Sequence, residues 1–206
     1  VSISNYTELK DAIADFLNRS DLTSVIPTFI SLAEADINRN LRHRLMENRA
    51  SATVNTRYSV LPTDFVEPIR LHIEGTNHNP LELLGSYEMQ KKRASTEDAA
   101  NRPLFYALTQ NEIELFPTPN ADFGLEMYYY AKVPSLSASV TTNDILTNHP
   151  DIYLYGSLSH SAPYLQEDPR IQVWASLYQN AVEGANQESQ RAKNSGSGIS
   201  MKIEAF

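Results

Sequence analysis

The chain of 206 residues contains no cysteine. That excludes disulfides, Cys-ligated zinc, iron–sulfur clusters and thiol catalysis, and with them the small disulfide-stapled secreted scaffolds. It has only seven glycines, and no glycine-rich phosphate loop can be drawn from them. No apolar run approaches the ~20 residues that span a bilayer. The amino end, VSISNYTELKD, has neither a basic start nor an apolar stretch, so it does not read as a signal peptide. Positive charge is scarce: 17 Lys and Arg stand against 25 Asp and Glu, a formal net charge of −8. A protein that grips a nucleic-acid backbone over a broad face normally carries a basic surplus. The acidic balance still permits a conduit through which DNA slides, because like-charge repulsion prevents sticking.

What is present is enough for a real core. The hydrophobic content is 41%, and eleven tyrosines stand against one tryptophan. Tyrosine joins a large contact area to a polar tip, so it serves both core edges and interfaces.

The chain reads as helix, then strand, then helix. Asn5 and Glu8 hold N-cap and N3 positions. Leu9, Ala12, Ile13, Phe16 and Leu17 follow at helical spacing. Pro27 suits the first turn of a second helix, with Phe29, Ile30, Ala33, Ile37 and Leu41 on one face. From about residue 46 the period changes to two. Ile69, Leu71 and Ile73 alternate with Arg70 and His72, and Ile113 and Leu115 with Glu112 and Glu114. Leu125, Met127, Tyr129, Ala131 and Val133 alternate with polar neighbours. These predict antiparallel strands with one wet face. A short helix is expected at residues 87–93, capped by Ser86. Pro150 and Pro169 mark two further helix starts, with Asp168 as a cap. The second of these carries the stripe Val173, Trp174, Leu177, Tyr178, Ala181, Val182 and Ala185.

The expected fold is therefore α+β: a helical bundle formed by the N- and C-terminal helices, an inserted antiparallel β domain, and an extended C-terminal tail. In residue terms, 1–45 and 141–193 form the two halves of the bundle, 46–140 the β insertion, and 194–206 a linker and terminal strand. NSGSG at 194–198 is a flexible tether. After it, Ile199, Met201 and Ile203 alternate with Ser200, Lys202 and Glu204, ahead of Ala205 and Phe206. A lone terminal strand is not stable by itself, so it is expected to add to a sheet, in another chain or its own, or to remain disordered.

No catalytic constellation emerges. There is no G-x-S-x-G elbow, and Glu112 and Glu114, two apart on a strand, read as a solvated edge. The five histidines, His43, His72, His78, His149 and His160, include no pair at the i, i+4 spacing of a helical zinc site, so no metal and no cofactor is expected. Arg39, Arg42, Arg44 and Arg49 form the main basic cluster; Lys91, Lys92 and Arg93 form a second. The first cluster can be read as DNA contacts in a channel, as ion pairs with a neighbouring subunit, or as a solvated helix end.

Several segments, in order, resemble the head–tail adaptor proteins of tailed bacteriophages, a group that includes tail tubular protein A-like connectors. They are LNRSDLTSVIPTFISLAEADINRNLRHRLME at 17–47, LPTDF at 61–65, RPLFYAL at 102–108, IELFPTP at 113–119, LEMYYYAKVPSLS at 125–137, TNDILTNHPDIYLYGSL at 142–158 and YLQEDPR at 164–170. Arg102 stands where that family usually has glycine before the proline. The resemblance implies a non-enzymatic virion protein, made in the host bacterial cytoplasm and placed at the head–tail interface. It implies a dodecameric ring that binds the portal protein and a tail nozzle or tail tube protein. Double-stranded DNA would pass through without sequence-specific binding, and no membrane would be involved. It further implies that the tail, Ile199 to Phe206, reaches into the portal, and it makes the four arginines subunit-interface or channel candidates. A carbohydrate- or receptor-binding tail module built on the β segment, with Tyr128 and Tyr130 exposed, is the alternative. A cell-wall hydrolase using a carboxylate pair is a third reading.

Overall fold

A computed structural model describes residues 3–19, 21–75, 80–95, 100–165 and 168–195. The chain divides into two compact units: a helical unit of Val1–Leu45 with Val133–Phe206, and a β-rich unit, Met46–Lys132. The fold is α+β, and helices from both ends of the chain pack together.

In the helical unit, α1 (Tyr6–Leu17) opens on Asn5, whose side chain accepts the N–H groups of Thr7 and Glu8. Glu8 completes the turn one residue further back than expected, accepting both the N–H and the hydroxyl of Ser4 at 2.8 Å. The helix ends on Asn18, which adopts the left-handed conformation favourable to a C-cap. Leu9, Ala12, Ile13 and Leu17 are buried, but Phe16 is exposed and drops out of the expected stripe. α2 (Ile26–Asn40) carries Pro27 in its first turn, where no amide donor is needed, and buries Phe29, Ile30, Ala33 and Ile37.

α4 (Asp144–Asn148) is one turn capped by Asn143, and α5 (Pro150–Ser159) follows directly. α5 is buried nearly all round, with Ile152, Tyr153, Ser157 and Leu158 inaccessible, as befits the centre of a bundle. Gly156 makes this possible. A Cβ there would lie 3.2 Å from Ala33 Cβ on α2 and 3.1 Å from the Tyr178 ring. Tyr178 belongs to α6 (Arg170–Asn194), which begins one residue later than expected: Pro169 is the N-cap residue and makes no side-chain cap, and Asp168, outside it, accepts the Arg170 N–H at 2.9 Å. α6 buries Trp174, Tyr178, Val182, Ala185 and Ser189, while Val173 and Leu177 are exposed. The predicted stripe was thus wider than the buried face.

The β-rich unit holds two sheets. One has the order β1 (Glu47–Val54), β7 (Phe123–Ala131), β3 (Phe65–Ile73), all antiparallel. The other has the order β2 (Tyr58–Val60), β6 (Glu112–Phe116), β5 (Phe105–Leu108), β4 (Glu82–Leu83). β4 and β5 are parallel, not antiparallel as expected. The reason is α3 (Ser86–Ser95), which lies between them in sequence and supplies the crossover that a parallel pair requires. Leu71, Ile73, Leu125, Met127 and Tyr129 from the first sheet meet Tyr106, Ile113 and Leu115 from the second in one core.

Two alternation readings fail locally. Ile69 is exposed because the β3–β7 register shifts around Pro68, a residue that cannot donate to the ladder. Glu114 is buried, not at a solvated edge. Met89 of α3 packs with Ala107 and Phe116 on that second face, so β6 is covered on both sides.

Candidate assembly surfaces

The arginines singled out from the sequence are structurally distinct. Arg39, in the last turn of α2, is exposed and ion-paired with Asp36, whose other oxygen receives His160 Nε2 at 2.8 Å. Arg42 folds back on the helix end, its guanidinium donating to the carbonyls of Leu41 at 2.7 Å and Asn38 at 3.1 Å. It satisfies carbonyls that the helix leaves without partners. Arg44 opens a 3-10 turn (Arg44–Met46) and is exposed. Arg49 belongs to the other unit. It projects from β1, an edge strand, and donates to Glu126 Oε1 at 2.6 Å, while Glu126 Oε2 meets His72 Nε2 at 2.9 Å. Of the second basic cluster, Arg93 is internal: with Arg57 it holds the buried Glu114 carboxylate at 2.6–2.9 Å and also donates to Leu115 O.

Several buried polar groups act as pins. Glu34 of α2 accepts the Leu136 N–H at 2.6 Å. Burial raises its pKa, while the bonds from Leu136, Ser135 and Tyr153 pull the other way. Tyr153 accepts from Asn143 Nδ2 at 2.7 Å, and burial pushes its hydroxyl pKa up. Asn38 receives the Val133 N–H at 2.9 Å. The stretch from Val133 to Asn143 is thereby fastened to α2 and α5. In the β-rich unit, Tyr129 donates to Asp64 Oδ1 at 2.9 Å; burial, then Asp64, push its pKa up to about 12.

Surfaces suited to docking remain in both units. β1 and β2 are edge strands, and exposed Val60 sits on β2. A groove of about 270 Å³ runs between Ala50 and Ala52 of β1 and Val60, Leu61 and Ile113, with Leu125 and Met127 at its floor. In the helical unit, Val173 and Leu177 lie one turn apart on α6, and Leu32 is exposed on α2. Of the two tyrosines expected to be exposed on the β segment, Tyr128 is exposed and lies near-parallel to the His72 ring at 6.3 Å, with Arg70 at 6.0 Å from its centroid, whereas Tyr130 is half-buried. His78 and the tail residues Ile199, Ser200, Met201, Lys202, Ile203, Glu204, Ala205 and Phe206 lie outside the described residues.

Sequence spacing missed one grouping. His43, His149 and Glu188 converge in the helical unit, each offering a ligand atom within 4.8 Å of the others. Nothing in their separate positions along the chain signals this.

Among the described residues no helix is long and apolar enough to cross a membrane. The sequence profile of the SU10 adaptor proteins matches residues 4–200, and the chain belongs to that family. It is a phage head–tail adaptor, a structural protein of the virion and not an enzyme. A comparison with curated proteins finds no match.

Proposed function

We propose that the chain assembles as a dodecameric ring beneath the portal protein, joins the filled head to a tail nozzle or tail tube protein, and lines the path of DNA ejection. The observation that carries this is the family match over residues 4–200. A ring requires a head-to-tail contact whose rotation closes, made by two different surfaces of each subunit. The exposed edge strands and the Val173–Leu177 ridge of α6 are surfaces of that kind. Arg39, Arg44 and Arg49 are exposed and are our candidates for ion pairs across the contact; Arg42, committed to the end of α2, supports the interface by holding its shape. The net charge of −8 suits a lumen that passes double-stranded DNA without gripping it. Ile199 to Phe206 dock as an extended segment into the portal, with main-chain hydrogen bonds giving affinity and alternate side chains giving specificity.

The test is mass photometry of the purified protein, alone and mixed with its cognate portal ring. The expected result is a portal complex heavier by twelve copies, lost when residues 199–206 are deleted. A portal that gains no mass ends the adaptor-ring reading. A portal that gains mass with the truncated chain keeps the ring and removes the tail from its docking.

A further inference from the structure

We propose that His43, His149 and Glu188 form a binding site for a divalent transition-metal ion of the zinc class, clamping α6 to the end of α2 and the start of α5. This reading is independent of ring assembly.

The site is built from backbone outward. His43 lies in the link after α2, and both of its neighbours are tied to α6. The Arg42 N–H donates to Asn186 Oδ1 at 2.8 Å and the Arg44 N–H to Ser189 Oγ at 2.9 Å. Asn186 also donates to Asn40 O at 3.2 Å. Glu188 sits on α6 between these two anchors. His149 is fixed from the third direction. It ends α4, its N–H donating to Ile145 O at 2.8 Å, and begins α5, its carbonyl accepting the Ile152 N–H at 3.2 Å. The two imidazole rings meet edge to face, 4.9 Å between centroids.

His43 is 1% exposed, and its Nε2 is buried with no hydrogen-bond partner. A buried polar nitrogen without a partner is costly, and it calls for an explanation. Its Nδ1 faces the Leu45 N–H at 3.3 Å, a long contact that a shift in the ring's proton can release.

Two imidazoles and one carboxylate are the donor set of zinc, cobalt and nickel, not of magnesium or calcium, which prefer oxygen alone. Zinc bonds of about 2.0–2.2 Å place tetrahedral donors roughly 3.4 Å apart. The donors here lie within 4.8 Å of one another, so they must close by up to about 1.4 Å. Glu188 is exposed, so a rotation of its side chain can supply the closure, and water would take the fourth position.

The test uses the tag-free, full-length protein, stripped with chelator and titrated with zinc chloride alone against a chromophoric zinc indicator. One zinc per chain is expected, together with a zinc-dependent rise in the thermal midpoint. His149→Ala and Glu188→Gln change half-buried or exposed side chains and leave the fold intact by far-UV circular dichroism. Each is expected to weaken binding by about 100-fold or more and to remove the thermal response. Cobalt should show the intense visible bands of a tetrahedral site in the wild type and not in these variants. No stoichiometric binding to the wild type, or binding unchanged in both variants, overturns the proposal.

Discussion

Two glycines in helix interiors offer the same substitution in opposite surroundings. Gly184 is exposed on α6, and a Cβ placed there meets nothing within 4 Å. Gly184→Ala should therefore realise the helix-propensity difference alone, about 1 kcal/mol in favour of alanine. Gly156 has the same intrinsic preference, but its Cβ would lie 3.1 and 3.2 Å from Tyr178 Cε2 and Cδ2, and 3.2 Å from Ala33 Cβ. Carbon atoms at their best separation stand about 3.5–4.0 Å apart. The new methyl is thus short of room by several tenths of an ångström on two sides at once. The ring and the α2 backbone must both give way. Overpacking of this kind costs about 1–3 kcal/mol. Subtracting the propensity gain leaves Gly156→Ala roughly 0–2 kcal/mol less stable than the wild type, and about 1–3 kcal/mol below Gly184→Ala. For a chain of this size, a 2 kcal/mol separation is about 4–8 °C in thermal midpoint. Urea unfolding followed by the helical far-UV signal measures it. In a Tyr178→Leu background the ring is gone, and Gly156→Ala should cost less than it does alone. Equal stabilisation by both glycine substitutions, or no coupling to Tyr178, would refute the close crossing of α2, α5 and α6.

Glu34 supplies a pH dependence of known sign. Its folded pKa is raised, chiefly by burial, so the stability it contributes is fully present below the unfolded glutamate value of about 4.3 and is lost as pH rises through the folded value. Urea midpoints of the wild type should therefore fall relative to Glu34→Gln as pH rises above about 4.3, and parallel curves would exclude the effect. Arg93→Leu leaves buried Glu114 with Arg57 alone and should cost about 2–4 kcal/mol in urea; Arg93→Met with Glu114→Met should recover much of it, because Arg57 is exposed enough to regain water. Asn186→Ala removes the acceptor of the Arg42 N–H and a donor to Asn40 O, at about 1–2 kcal/mol. Hydrogen exchange at the Arg42 amide should accelerate, and unchanged exchange would show that the link after α2 is held by other means.

Elements whose burial follows from one local period were legible in the sequence. The α2 face Phe29, Ile30, Ala33 and Ile37 is buried as read, and so is the β7 series Leu125, Met127, Tyr129. The Asn5 cap and the proline in the first turn of α2 are local chemistry and needed no tertiary information. The family was also legible, from the order of weakly specific motifs across most of the chain. The failures arise where burial depends on more than one local period. Glu114 looked wet because alternation describes one sheet face at a time, and α3 covers the other. β4 is two residues long, too short to carry a period, so its parallel pairing could not be foreseen. Val173 and Leu177 are apolar at helical spacing yet exposed, since periodicity reports apolarity and not what covers it.

The same limit explains why the histidine site escaped notice. Spacing rules for metal ligands assume donors on one helix or one loop, whereas His43, His149 and Glu188 come from three elements. What brings them together is a set of side-chain-to-backbone bonds, Asn186 to Arg42 and Ser189 to Arg44, that fasten α6 to the end of α2. Asn186 and Ser189 are polar residues on a long helix, and in sequence they look like its solvated face. Only the fold shows that Ser189 is buried and that its hydroxyl is engaged. In an adaptor, such pins serve a purpose that apolar packing alone does not. The hydrophobic effect is non-directional, whereas a hydrogen bond to a named amide fixes register. The pins therefore hold α6 in one register against the end of α2.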